Sequence, residues 1–516
     1  MIWHIFKKDV RLLWWLAAAV AAMHVAELAL LLALPRFPFN RELGKLMEML
    51  GLGGLLGVGF LVTALVHQDA IPGVRQDWLV RPVLRRDLLL AKLLFVVLLV
   101  QFPILFADFL ELALSRFPLS SSLAAAATRS LALLLLVDVP FLAFAAMTKN
   151  LLEAISGGVL MFFLIAILDV LLNSGHGRGA LHPTFGTGVE WMTECALLLT
   201  LLIGSCVLLN LQFFRRRTRI SRIGMGALTF LGAFSTMMPW QPAFAIEKAM
   251  SPAPGSASQI AVNFSPSLGR LKRDASFPAF DMREDSVPLF LPMRISGLPV
   301  DSALQADRAQ VRVIEADGRV DRVDTLDLSV RRDGTADADR SAYHTLAVPG
   351  EVYERVKNQP VRLEIDDSLT LFQLSSSQAF PIVSPEQAVA GIGRCDSQIN
   401  RAETAVQIRC TRAGRRPDCV TAYLEHVPSG LRNPERFACD PDYSPFFAFD
   451  LTHDALARFG GNLPFRDPNG LAKYPVDGSK LKEARAVVRV YQPLEHFDRR
   501  LEIPEIRLSD WGAEQQ

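Results

Sequence analysis

The sequence predicts an α-helical polytopic membrane domain followed by an all-β extracytoplasmic region, on three observations. Long apolar runs recur from Leu12 to Trp240 and then stop. Lys and Arg gather in alternate connections between those runs. From about Ser251 to Gln516 the apolar residues alternate in short stretches punctuated by Gly, Pro and Asp. The formal net charge of +1 over 516 residues conceals two unlike halves and argues against a nucleic-acid partner.

Seven runs approach the roughly 20 residues that a helix needs to cross a hydrocarbon core. They are Leu12–Leu34, Leu50–Val66, Leu88–Leu114, Leu123–Met147, Leu151–Leu172, Met192–Phe214 and Ile223–Trp240. With the N-terminus inside, the inner segments collect Lys7, Lys8 and Arg11, then Arg75, Arg81, Arg85, Arg86 and Lys92, then Lys149, then Arg215, Arg216, Arg217, Arg219 and Arg222. The outer segments hold only Arg36, Arg41, Lys45, Arg116 and Arg178. Basic groups resist translocation, so this bias sets the orientation, and an odd number of spans places everything after Trp240 outside the cytoplasm. The first segment, Ile2–Val10, sets Trp3, Phe6 and Val10 against Lys7, Lys8 and Asp9, which suits either a helix in the headgroup plane or a simple charged flank. The basic run before Ile223 and the small-x-small pattern ending at Ala245 also resemble an internal signal sequence, with an uncleaved anchor as the plainer reading.

Ionisable groups within spans are costly, so Glu27, Asp108, Glu111, Arg129, Asp138 and Asp169 stand out. The first four fall toward the outer half, which predicts that Arg129 pairs with one or more of the three carboxylates. Asp138 lies nearer the midplane, two residues before Pro140, where it accepts from a freed backbone amide or lines a path. The run Gly51, Gly53, Gly54, Gly57 and Gly59 makes a small-residue face for packing within the chain or against a second copy.

In the second half, Val361–Ile365, Leu369–Leu374 and Val487–Tyr491 alternate as half-buried strands do. Asp317-Gly318 predicts a two-residue hairpin turn. A faint likeness between the segments from Val361 and from Val488 suggests two β-sandwich modules, 261–383 and 384–516, joined at Ser384-Pro-Glu. The full division is then 1–222 for six spans, 223–245 for the seventh, and 246–260 for a linker whose stretch Ser251–Ser258 reads as flexible. Cys395, Cys410, Cys419 and Cys439 form an even set in the compartment where disulfides persist. Pairing Cys395 with Cys410 and Cys419 with Cys439 lets each bond close its own hairpin. Buried thiols and a zinc site are the alternatives, the latter without Cys-x-x-Cys spacing. Cys195 and Cys206 lie apart, in the sixth span.

Nothing predicts a catalytic or metal site. His344, His426, His453 and His496 lack ligand spacing, and neither Gly-x-Ser-x-Gly nor His-Glu-x-x-His occurs. No Gly-x-x-x-x-Gly-Lys-Ser/Thr loop occurs either, so any ATP-driven motion must be powered by another polypeptide.

One connection carries more than topology. Between the second and third spans, His67–Lys92 holds Asp69, Gly73, Arg75, Gln76, Asp77, Trp78, Arg81, Pro82, Arg85 and Arg86, then Leu89-Leu-Ala-Lys92 at the start of the next span. Together with the N-terminal segment, these residues resemble the coupling loop and membrane region of type-2 ABC exporter permeases over roughly the first 240 residues. The resemblance excludes the seventh span and the sandwiches, which exceed the usual six-span plan. It implies a short helix around Trp78 that docks into a groove of a cytoplasmic ABC ATPase, with an aromatic anchor and arginines for oriented contacts. It further implies ATP and Mg on that partner and none on this chain, and a second permease subunit, identical or related. Membrane lipid would surround the pair in a bacterial cytoplasmic membrane, and the outer domain would be free for an extracytoplasmic partner. Two rivals stand beside it: a membrane-anchored binding or assembly protein, and an intramembrane enzyme using Asp138 or Asp169. The substrate is not legible.

Overall fold

The computed structural model describes residues 1–33, 41–69, 84–173, 190–215, 217–235, 240–270, 286–327, 329–332, 340–389, 391–414, 419–433, 455–466 and 473–512. The chain divides into two compact units, one holding Met1–Trp240 and the other most of the chain from Gln241 onward.

In the first unit, α1 (Ile2–Ala33) is unbroken. Phe6, Asp9, Leu13, Ala17 and Val20 are buried at three- and four-residue spacing, one stripe that passes through the expected boundary near Val10. No Gly or Pro interrupts it. The segment read as either a headgroup-plane helix or a charged flank is the first turns of one long helix. Against it packs α2 (Arg41–His67), and the glycine run sets the distance. A Cβ at Gly57 would lie 3.2 Å from Val20, and one at Gly54 would lie 3.2 Å from His24. The small-residue face thus serves packing within the chain.

Next, α3 (Arg85–Phe95) and α4 (Phe102–Leu114) form one rod through a π-helical turn at Val96–Gln101, and α5 (Leu119–Leu133) continues into α6 (Val139–Ala145) through another at Leu134–Asp138. Each turn ends two residues before a proline, Pro103 or Pro140. A proline removes a donor and crowds the carbonyl four residues back, which widens the local hydrogen-bond ladder. After α7 (Leu151–Asn173), α8 (Glu190–Leu209) ends in a third π-helical turn, Asn210–Phe214, before α9 (Thr218–Ser235).

Among the described residues, five helices are long and apolar enough to cross a membrane: Ile2–Leu30, Met49–His67, Arg85–Leu114, Leu119–Ala145 and Cys195–Phe214. Leu151–Leu164 is a shorter apolar stretch. The seventh predicted run lies in α9 up to Ser235, and residues 236–239 lie outside the described ones.

The second unit is β-rich. Its larger sheet has the order β1 (Ala261–Phe264), β2 (Ser286–Ser296), β6 (Arg340–Pro349), β4 (Val320–Asp327), β3 (Ser302–Ile314), β7 (Val361–Pro381), β13 (Ala484–Ile506) and β11 (Cys419–His426), with β5 (Ser329–Arg332) on β3. A smaller sheet runs β12 (Leu456–Pro464), β10 (Ala405–Ala413), β9 (Gly393–Ile399), β8 (Ser384–Val389). Two short helices, α10 (Trp240–Ala249) and α11 (Gly350–Val356), complete it.

The expected division at Ser384 does not separate the two cores. β7 and β13 pair antiparallel from Val361↔Ile506 to Pro381↔Arg485 and run through both. Phe497, Ile503 and Ile506 join Leu291, Leu346 and Leu363 in one core, whereas Phe380, Val488 and Val490 join Ile392, Val406 and Leu424 in the other. The two segments whose likeness suggested a duplication are these hydrogen-bonded neighbours.

The linker is also corrected. Register shifts at Pro493/Glu495 mark a bulge in β13, where proline cannot donate to the ladder. The bulge holds Ser251–Ile260 as a strap. Glu495 accepts from the backbone N–H of Gly255 (2.8 Å) and Ala257 (2.5 Å), the Leu494 carbonyl accepts from Ala253 N–H (3.1 Å), and Ser251 Oγ accepts from His496 N–H (2.9 Å). Ala257 and Ile260 are buried in the first core. Before the strap, α10 passes through the small-x-small site, with Ala243 and Phe244 buried and Phe244 edge-on to His496.

The Asp317-Gly318 hairpin is present between β3 and β4, in a different form. Only Gly318 has positive φ (88°); Gly318 N–H donates to the Glu315 carbonyl (3.0 Å) and Glu315 N–H to the Arg319 carbonyl (2.9 Å). This is a three-residue loop with glycine in the left-handed position instead of a two-residue turn.

Cys395 and Cys410 face each other across β9 and β10 and are bonded. Cys419 is also disulfide-bonded; Cys439 lies outside the described residues. The Cys395–Cys410 loop spans 15 residues, for which the closure entropy removed from the unfolded chain is worth about 3 kcal/mol. Cys395→Ala with Cys410→Ala is expected to lower the denaturation midpoint of the β unit in the full chain accordingly. Unchanged unfolding monitored by strand circular dichroism would show that the bond adds nothing.

Candidate functional site

Four charges from three parts of the sequence meet at one end of the first unit. Lys92, on α3, is 1% exposed, and its Nζ donates to Asp9 Oδ2 (2.8 Å) and Asp69 Oδ2 (2.5 Å). Lys8 reaches the other oxygen of each carboxylate, Asp69 at 2.5 Å and Asp9 at 3.4 Å. Two cations and two anions cancel, which is the condition for holding charge away from water. Helix geometry makes the meeting possible. Asp9 interrupts the buried stripe of α1, and Lys92 does the same on α3, which buries Leu88, Ala91 and Phe95 around it. Asp69 stands two residues past the end of α2, its N–H still donating to the Val66 carbonyl (3.3 Å).

The Asp69 carboxyl is pushed up by burial, but the Lys92 and Lys8 ammoniums outweigh that and hold it below the ordinary aspartate value. A depressed folded-state pKa stabilises above the unfolded value of about 3.9, and the contribution is lost as pH falls through the folded one.

Further tethers join other segments of the first unit. His67 Nε2 and Thr148 Oγ1 are 2.8 Å apart. Arg222 donates to the Met147 carbonyl (3.2 Å) and pairs with Glu153. Arg85 donates to the Phe214 carbonyl at the end of α8 (2.5 Å), while Arg86 is exposed beside Asp87. Of the predicted coupling residues, Asp69, Arg85 and Arg86 are thus placed. Gly73, Arg75, Gln76, Asp77, Trp78, Arg81 and Pro82 lie outside the described residues.

The polar groups of the spans sort into two further places. Arg129 pairs with Asp108, and both line a cavity with His24, Glu27 and Glu111. His24 approaches Glu27 at 3.5 Å and was not singled out from sequence. Asp138 is 1% exposed and accepts from Gln101 Nε2 (2.5 Å), while Ser130 Oγ donates to Gln101 Oε1 (3.0 Å). Its partner is a side chain 37 residues away and not a backbone amide freed by Pro140. Gln101 and Asp138 each close a π-helical turn, so the first two of the three such turns among the described residues are joined by one hydrogen bond. Asp169 lies on α7, its side chain outside those described.

In the β unit, two histidines that looked scattered have buried partners. His344 Nε2 is 2.9 Å from Asp367 Oδ1, and His496 Nδ1 is 2.7 Å from Thr370 Oγ1. Both pairs are closed off from solvent and offer no approach to a substrate.

Gln101 and Ser130 were not singled out from sequence, and Lys8 and Asp9 were read only as part of a charged face or flank. A usable signal existed for Asp9, an acidic residue at a position that helical spacing assigns to the buried stripe.

No family model matches the chain, and no curated relative matches it. Among solved structures, a red sea bream transglutaminase is similar at a TM-score of 0.12 and 8% identity, covering 50% of this chain and 31% of that one. A superposition that loose carries no argument about fold or function.

Proposed function

We propose that the chain is the membrane subunit of an ATP-binding-cassette exporter in a bacterial cytoplasmic membrane, with seven spans, an inner N-terminus and an outer β unit. The observation that carries the reading is the charge cluster in which buried Asp9 and Lys92 meet Asp69 and the exposed Lys8. A connection that transmits force from a cytoplasmic motor needs a rigid root. Here Asp69, the first of the predicted coupling residues, is clamped to the first turns of α1 and to α3, so a displacement of the loop moves both helices together. ATP binding by the partner would close two ATPase subunits, shift the loop around Trp78 and switch a pair of permease subunits between inward- and outward-open states. The Cys395–Cys410 bond supports an oxidising compartment for the β unit, which serves as a receiving or partner-binding platform.

The test is association with a separately encoded ATPase. Trp78→Ala with Arg81→Ala is expected to weaken co-purification at least about tenfold, the scale of losing one interface hot spot. Retained association overturns the docking assignment. It would favour the second reading, a membrane-anchored binding or assembly protein, to which the size of the β unit also lends itself.

A further inference from the structure

α8 and α9 form a tight helical hairpin. A Cβ at Gly204 would lie 2.3 Å from Leu228, and one at Gly224 would lie 3.0 Å from Leu208, while Gly232 faces Leu197. Contacts of 204 with 228, 208 with 224 and 197 with 232 run in opposite directions along the two helices, so α9 returns beside a helix long and apolar enough to span. The turn between them holds Arg215 and Arg217, and Arg219 opens α9.

Three observations single out this turn. Its neighbouring arginines are consumed by the protein: Arg85 on the Phe214 carbonyl, Arg222 on Glu153 and Met147. Arg215, Arg217 and Arg219 are exposed and, among the described residues, make no ion pair or side-chain hydrogen bond. No Asp or Glu occurs between Glu194 and Glu247, so nothing nearby in the sequence neutralises them. Finally, α9 carries an exposed apolar stripe directly behind Arg219. Ile223, Phe230 and Leu231 are 74%, 58% and 55% exposed, and helical spacing sets Ile223 and Phe230 nearly in line with Arg219.

We propose that this hairpin binds an anionic phospholipid, with Arg215, Arg217 and Arg219 holding the headgroup phosphate and the Ile223–Leu231 stripe lying along an acyl chain. Guanidinium forks match phosphate oxygens, and cationic groups at the end of a span draw anionic headgroups. A fork cluster above an apolar stripe has the amphipathic order of a lipid. Free phosphate would use the arginines but has no acyl chain to lie along the stripe.

The experiment uses the full chain in detergent with added phosphatidylglycerol or phosphatidylcholine, and retained lipid is counted by native mass spectrometry. The parent should retain phosphatidylglycerol in preference to phosphatidylcholine. Arg215→Gln, Arg217→Gln and Arg219→Gln together should weaken the former by about fivefold per arginine and leave the latter unchanged. Because those changes also remove topogenic charge, a second variant with all three as Lys keeps the charge and loses only the fork; it should show a smaller loss of the same selectivity. Arg222→Gln, already held by Glu153, should leave lipid retention alone. Equal retention of both lipids by the parent overturns the proposal. So does undiminished phosphatidylglycerol binding by the Gln variant, including the case where that variant instead loses an ATPase partner. Competition by soluble glycerol phosphate as effective as by the lipid overturns the role of the stripe.

Discussion

Lys92→Met is expected to destabilise the purified chain by about 3–5 kcal/mol, the cost of leaving buried charges without their partner. The ammonium is the buried contact shared by Asp9 and Asp69, which Lys8 reaches only from the exposed side, and Asp9 is fully buried. Methionine fills nearly the same volume, so a packing defect would not account for the loss. Adding Asp9→Asn to Lys92→Met removes one of the stranded carboxylates and should recover part of the stability. That non-additivity is the mark of a shared network, of order 0.5–3 kcal/mol. Lys92→Arg keeps the charge but must fit a larger planar group into a packed site, and an intermediate loss is expected. Thermal unfolding in detergent, followed by helical circular dichroism, measures all four proteins. A Lys92→Met variant within about 1 kcal/mol of the parent would mean that the cluster is dispensable to the fold, and the rigid root of the connection would go with it.

Periodicity made the membrane half largely readable, because a span announces itself by length and apolarity whatever surrounds it. The strands were readable for a similar reason: alternation survives in β7 and β13 because one face of each is buried. What escaped was anything fixed by residues far apart. Ser251–Ser258 has the composition of a tether, yet Glu495, some 240 residues later, satisfies its backbone donors and turns it into a strap. Composition reports what a segment does alone, and this one is never alone. The module boundary failed likewise, since Ser384-Pro-Glu looks like a join while the pairing of β7 with β13 crosses it. At the Asp317-Gly318 turn, dipeptide chemistry located the hairpin but not its length, because Asp-Gly suits both the two-residue form, with two left-handed residues, and the three-residue form, with one.

The same limit explains the site. Asp69 and Lys92 belonged to one motif in the sequence, but nothing in their spacing joined them to Lys8 and Asp9; the helix continuing through Val10 did. Asp138 drew notice for its depth and Pro140 for its ring. Their joint product, a π-helical turn facing a second one through Gln101, required both rods to be in place.

Arg129→Met is the other substitution with a large expected effect, again about 3–5 kcal/mol. Arg129 pairs with Asp108, which is 5% exposed, and Glu27 and Glu111 line the same cavity, with His24 as the remaining basic group among its lining residues. Removing the guanidinium sets carboxylates against one another around one space, so the loss should shrink when Asp108→Asn is added. The exchanged pair, Arg129→Asp with Asp108→Arg, distinguishes two roles for the site. If the ion pair only holds α4 to α5, the exchange restores stability by about 1–3 kcal/mol over either single change and restores transport with it. If the cavity contacts the transported molecule, stability returns but transport does not, because the charge facing the path has been inverted. An exchanged protein no more stable than the single variants would mean that Asp108 and Arg129 are not each other's principal partner, and the cavity would then need a different electrostatic account.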